Sequence, residues 1–316
     1  MIGDMVAPRA AFGRALVELA KSMPELVVLD PDVCSSTQTS LFRSSWPERF
    51  FAMGIAEANT VCAAAGMAAC GRLPWVSAFA AFLATRALDQ VRVSVAHTGL
   101  PVKLNGSYGG LPSGRGGATH SACEDIAAMR ALPGMTVLTP ADAVETAAMT
   151  GLATRLPGPV YLRTVRCEVP TIFEEAFRPE IGRATILADG GDVAIVSEGM
   201  MSARALAAAR LLAAEGIYAR VLHFGTIKPL DREALAAASR HCGRVVTVEN
   251  HSVTGGLGSA VCEALAEEAP CPVARLGFPD VFLESGDDEL IFSRYGLDAA
   301  GIAAAVRRLM ERNDQV

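Results

Sequence analysis

The chain has 316 residues, 51% of them hydrophobic, and a formal net charge of −6 from 28 Lys and Arg against 34 Asp and Glu. That length supports about two domains, the interspersed charges offer no basic stripe for nucleic acid, and the Ala-rich apolar excess points to surface kept for an oligomeric partner. The eight cysteines lack C-x-x-C or Cys/His ligand spacing and suit a reducing cytosol; no leader opens the chain and the apolar run 61–70 is too short to cross a bilayer, so a cytoplasmic protein without a membrane span is expected.

In chain order, residues 8–22 form an amphipathic helix with Phe12, Leu16 and Leu19 on one face, followed by strand 26–29, which ends in Asp30-Pro31-Asp32. A helix from Glu57 to Cys70 leads to strand 74–78, an amphipathic helix 79–97 with Arg86, Asp89 and Arg92 on its polar side, and strand 101–104. A glycine-rich loop from Asn105 to Thr119 follows, and a loop of that length is functional or disordered. Helix 122–132, strand 135–138, helix 141–155 and strand 159–163 complete a first α/β domain, 1–166, whose continuous apolar strands are those of a parallel sheet. Periodicity fades over a linker at 167–189. It restarts in a second α/β domain, 190–316, with strands 192–197, 218–224, 244–249 and 272–276 alternating with helices 201–215, 231–240, 256–267 and 298–312.

Four clusters stand out chemically. Asp30 and Asp32 close the first strand, and Glu57 opens an apolar helix that offers it little solvation and no evident counter-ion. Such an acid disfavours its charged form and marks functional sites, although a helix N-terminus also favours an acid through the macrodipole. Phe79 and Phe82 lie one helical turn apart, a spacing shared by core residues and ligand walls. His120 closes the glycine loop, where function concentrates. The turn Val253-Thr254-Gly255-Gly256-Leu257-Gly258 enters a helix but does not follow a strand as a dinucleotide fingerprint requires.

The order and spacing of these clusters resemble the C-terminal half of transketolase in its split, two-gene form, over nearly the whole chain. Met53-Gly54-Ile55-Ala56-Glu57-Ala58-Asn59 is similar to the family's glutamate motif, Ala78-Phe79-Ala80-Ala81-Phe82 to its aromatic motif, and Gly117-Ala118-Thr119-His120 with Glu124-Asp125 to its histidine motif. Ile227-Lys228-Pro229-Leu230-Asp231 and Glu249-Asn250-His251 through Gly258 resemble its C-terminal domain.

The resemblance implies a pyrimidine-binding thiamin fold followed by a transketolase C-terminal-like domain, and thiamine diphosphate with Mg2+ as cofactors. Glu57 would hydrogen-bond an aminopyrimidine nitrogen, Phe79 and Phe82 would wall the ring with Ile55 and Asp32 nearby, and His120 would serve as donor or proton shuttle at the substrate carbonyl. The family's Gly-Asp-Gly diphosphate motif and its Asn-Asn pair are missing, so the chain holds no metal ligands and half a site. An N-terminal, diphosphate-binding partner subunit is expected, in an α2β2 heterotetramer that transfers a two-carbon ketol unit from a ketose to an aldehyde.

Tyr108 stands where the family often has a substrate histidine, Gly116 where it has an aspartate, and Thr139 where sugar-phosphate transketolases carry an arginine. Loss of that guanidinium removes a bidentate phosphate clamp. Arg9 and Arg115 could replace it, or the substrate is unphosphorylated. Two alternatives stay open: the β subunit of a 2-oxo acid dehydrogenase, whose histidine motif reads His-Ser as at His120 and Ser121, and a non-catalytic scaffold for a partner. The second domain reads as mainly structural, with His251 and the turn after it as possible ligand contacts.

Overall fold

A computed structural model of the chain describes residues 3–111 and 114–313. The first half contributes β1 (Met5–Val6), β2 (Leu26–Asp30), β3 (Phe50–Ala52), β4 (Leu73–Phe79), β5 (Lys103–Ser107), β6 (Thr136–Leu138), β7 (Val160–Thr164) and β8 (Val169–Pro170). The second contributes β9 (Thr185–Ala188), β10 (Val193–Ser197), β11 (Ala219–His223), β12 (Thr226–Lys228), β13 (Val245–Ser252) and β14 (Val273–Phe278). Two main sheets result, a seven-stranded one in the order β12-β6-β7-β5-β4-β2-β3 and a five-stranded one in the order β14-β13-β10-β11-β9. All pairings within them are parallel except β12 on β6 and β9 on β11.

The buried strands follow from helices on both faces. On one face Phe12 and Leu16 of the helix Pro8–Ala20 and Met149 of the helix Ala143–Arg155 pack in one core with Trp75 and Leu162 of the sheet. Asp142 caps the second of these by accepting from the Glu145 amide at 2.9 Å. On the other face Val61, Ala64 and Ala68 of the helix Glu57–Ala69, with Ile126 and Met129, pack on Val76 and Leu104. This core continues into the second half through Phe224, Ile227 and Leu235.

Several elements differ from the sequence reading. The helix expected over 79–97 is broken into Ala80–Ala84, Leu88–Gln90 and a π-helical Val91–Ala96. The break falls at Thr85, whose hydroxyl caps back onto the Ala81 carbonyl at 2.6 Å. The stretch 167–189 carries β8, which pairs with β1, and β9, which forms an edge of the second sheet. Both are short, and the half-exposed β9 lacks clear alternation. The strand β12 leaves the second half and pairs antiparallel with β6, so the first sheet is closed by a segment distant in sequence. Among the described residues no helix is long and apolar enough to cross a membrane.

Candidate functional site

Parallel α/β sheets present their loops at the carboxyl ends of the strands, and ligands bind there. At this edge lie Asp30 at the end of β2, Phe79 at the end of β4, Tyr108 just after β5 and Arg166 beyond β7. Asp30 is buried, and its carboxyl takes the Val33 amide at 2.6 Å and the hydroxyls of Thr39 and Thr37 at 2.8 and 3.2 Å. Burial raises its pKa against these hydrogen bonds. It holds the turn together, whereas Asp32 is exposed at φ 68°.

Glu57 begins the helix Glu57–Ala69 and is 1% exposed. It is not without a counter-ion: Arg86 Nη1 donates to Glu57 Oε2 at 2.7 Å. The break at Thr85 explains this, because a continuous helix would have carried Arg86 along its solvent side. The Arg86 guanidinium also lies 4.6 Å above the Phe82 ring.

From Phe82 the contacts run through aromatic rings. Phe79 lies 5.7 Å from Phe82, and His120 lies 5.7 Å from Phe79 and 5.6 Å from Phe82, edge-on to both. Tyr108 stacks on Phe79 at 4.3 Å and adopts φ 62°, a left-handed conformation costly for an aromatic residue. His120 is half-buried, with Nδ1 2.8 Å from the Thr119 hydroxyl. Ser107, in register with Phe79, keeps a buried hydroxyl without a hydrogen-bond partner among the described residues. The cluster thus offers a water-shielded carboxyl, flat apolar walls, a histidine and a buried hydroxyl, a set of groups that fits a polar aromatic heterocycle.

Tyr108 is flanked by cations. Arg9 and Arg166 each place a guanidinium carbon 5.8 Å from its ring, and Arg166 Nε donates to its hydroxyl at 3.1 Å. Arg9 is held in place by donating to the Ser36 and Arg166 carbonyls at 2.6 and 3.2 Å. Neither Arg166 nor Arg86 stands among the site candidates read from the sequence; the position of Arg166 just past an apolar strand was the one signal available for it.

Other candidates lie elsewhere. Ile55 is 75% exposed, two residues before Glu57. Arg115 is exposed in the short turn Gly114–Gly116, beside residues 112 and 113 of the glycine loop, which lie outside the described residues. Thr139, expected at the substrate, is 1% exposed, and its amide donates to Gly225 O at 2.8 Å and its hydroxyl to Phe224 O at 3.2 Å. Its hydrogen bonds join the two halves. His251 is likewise internal. Its Nδ1 meets the Ser252 carbonyl at 2.7 Å and its Nε2 accepts the Ala127 amide at 3.3 Å, which assigns the neutral Nδ1–H tautomer. Burial lowers its pKa to about 4. Among the described residues no group of three or more His, Cys, Asp or Glu could hold a metal ion.

Two family descriptions match the chain: transketolase, pyrimidine binding domain, over residues 4–171, and transketolase, C-terminal domain, over residues 182–302. A 6-deoxy-6-sulfo-D-fructose transketolase subunit from Clostridium sp. (strain MSTE9) is 41% identical, over 95% of this chain and 93% of its own length. An apulose-4-phosphate transketolase subunit from Phocaeicola vulgatus is 38% identical, over 99% of this chain and 100% of its own. A solved split gene transketolase, described as an inactive beta4 tetramer, superposes with a TM-score of 0.89 at 47% identity, covering 98% of this chain and 99% of that one. The chain therefore belongs to the transketolase family of transferases, as a subunit of the split kind that carries the pyrimidine-binding and C-terminal domains.

Proposed function

We propose that this subunit supplies the aminopyrimidine half of a thiamine diphosphate site, and that a partner subunit supplies the diphosphate and Mg2+ ligands in an α2β2 assembly. The observation that carries the reading is the chain of contacts from Glu57 through Arg86 and Phe82 to His120. Bound there, the cofactor supplies the electron sink for carbon–carbon cleavage in a ketose.

The chain's own residues have separate tasks. Glu57 holds a ring nitrogen of the heterocycle from a buried position where water does not compete. Phe79 and Phe82 shield the ring, and His120 exchanges a proton with the substrate carbonyl oxygen. The missing Gly-Asp-Gly motif supports a diphosphate site on another chain. The naming of similar chains as subunits, and of one beta-only assembly as inactive, agrees with it.

The reaction is two-carbon ketol transfer from a ketose to an aldehyde, on sugars with an anionic end. Arg9 and Arg166 beside Tyr108 support the anionic end, and two relatives are named for a sulfonated and a phosphorylated sugar. Free sugars turned over as fast as their phosphates or sulfonates would refute that part. Calorimetry with thiamine diphosphate and Mg2+ tests the half-site: the subunit alone binds weakly and the mixture with its partner binds tightly. Tight binding by the lone subunit would overturn the division of the site.

A further inference from the structure

We infer that Asn250, in the carboxy-terminal sheet, is a positioning residue for the loop that carries Tyr108 and His120. The family match gives the second half no task at the site, yet Asn250 on β13 reaches across the domain boundary into it. Its carboxamide oxygen accepts the Leu111 amide at 2.9 Å and its nitrogen donates to Gly109 O at 3.3 Å. Its backbone is held equally: its amide donates to Glu198 Oε1 at 2.9 Å and its carbonyl accepts Arg163 Nη2 at 2.8 Å. Asn250 is 1% exposed, so no water competes for these bonds.

The loop is shaped to this grip. A Cβ on Gly110, at φ 72°, would stand 2.3 Å from both oxygens of Asn250, and one on Gly109 would stand 2.4 Å from Arg163 Nε. Only glycines allow so close an approach. Gly110 and Ala122 exchange backbone hydrogen bonds at 2.9 Å in each direction, and Arg163 Nη2 also donates to Ala122 O at 3.1 Å. The two arms of the loop are thereby tied together at the point Asn250 holds. Tyr108 precedes the clamp by one residue and His120 precedes Ala122 by two, and both rings meet Phe79. Glu57 and Phe82 stand on separate elements, the helices Glu57–Ala69 and Ala80–Ala84.

A residue that merely joins two domains would lower stability when removed, whereas a positioning residue also releases the loop. The test compares Asn250→Ala with Val261→Ala, a truncation in the core of the helix Leu257–Glu268 away from the loop. Both variants are measured in the assembled complex. For Asn250→Ala, kcat/KM falls roughly tenfold or more, as misplacement of reacting groups produces, while calorimetric affinity for thiamine diphosphate stays within about twofold. Hydrogen exchange at the 109–111 and 122 amides accelerates, and that at Val76 and Leu104 does not. Val261→Ala loses thermal stability with none of these changes.

Identical behaviour of the two variants in loop exchange and kcat/KM would overturn the inference, as would a parallel loss of cofactor affinity in Asn250→Ala. If Asn250→Ala fails to fold, Gly110→Ala disturbs the same contact from the loop side with the same expected readout, and unchanged loop exchange there overturns it. The kinetic arm rests on the proposed function and the exchange arm does not. A complex that binds no thiamine diphosphate, with loop exchange still dependent on Asn250, would refute the function and leave the clamp standing.

Discussion

Arg86 and Glu57, 29 residues apart, form an ion pair at 2.7 Å in which the acid is 1% exposed and the arginine side chain 49% exposed. The buried partner has given up water and the other has not, so the pair contributes little net stability while supplying the acid with a cation. A heterocycle nitrogen approaching Glu57 must compete with that cation. For Arg86→Met we expect a folded protein, destabilised by about 1 kcal/mol, in which the assembled enzyme binds thiamine diphosphate more tightly because the competing guanidinium is gone. Weaker binding in calorimetry would show instead that Arg86 helps to hold the cofactor.

Removing the acid itself separates catalysis from assembly. Glu57→Ala is expected to lower kcat by roughly a hundredfold or more, as loss of a positioned acid does, with the complex still forming in sedimentation experiments. Undiminished turnover would sink the assigned role of Glu57.

The two arginines beside Tyr108 give a substrate prediction. Arg166→Gln removes a charged donor from an anionic sugar, worth about 1–3 kcal/mol. KM for a phosphorylated or sulfonated substrate should therefore rise roughly tenfold or more, with KM for the neutral sugar unchanged. A uniform rise for both would place Arg166 outside the substrate path.

Glu249 gives a stability prediction with a definite sign. Burial pushes its pKa to about 8, against the amide hydrogen bond from Gly258, and one of its oxygens has no hydrogen-bond partner among the described residues. The folded state therefore binds more protons here than the unfolded chain between the ordinary carboxylate range and pH 8. The stability this proton provides is present at low pH and lost as pH rises toward 8. His251 opposes this only between about 4 and its ordinary value near 6.5, where the unfolded chain binds the extra proton. Lys103, lowered to about 7 by burial, adds a rising slope above that pH which a Glu249 variant shares with the parent. Glu249→Gln should thus gain Tm relative to the parent as pH rises from 6.5 to 8.5. A constant Tm difference across that window would contradict the protonated assignment.

The chemistry-bearing stretches are local, and the sequence alone shows them: an acid opening an apolar helix at Glu57, paired aromatics at Phe79 and Phe82, and a histidine closing a glycine loop at His120. The parallel α/β class is equally legible, since strands buried on both faces, such as β2 and β10, read as apolar runs whatever they later pack against. Tertiary structure decided what those residues meet. A turn at Thr85 swings Arg86 to Glu57, and β12 adds itself to a sheet whose other strands end before residue 165. Thr139 disappears into the join between the halves, and Asn250 grips a loop 139 positions away. Periodicity and propensity act over a few residues, whereas these contacts close long loops. Their partners are selected only by the fit of the packed elements.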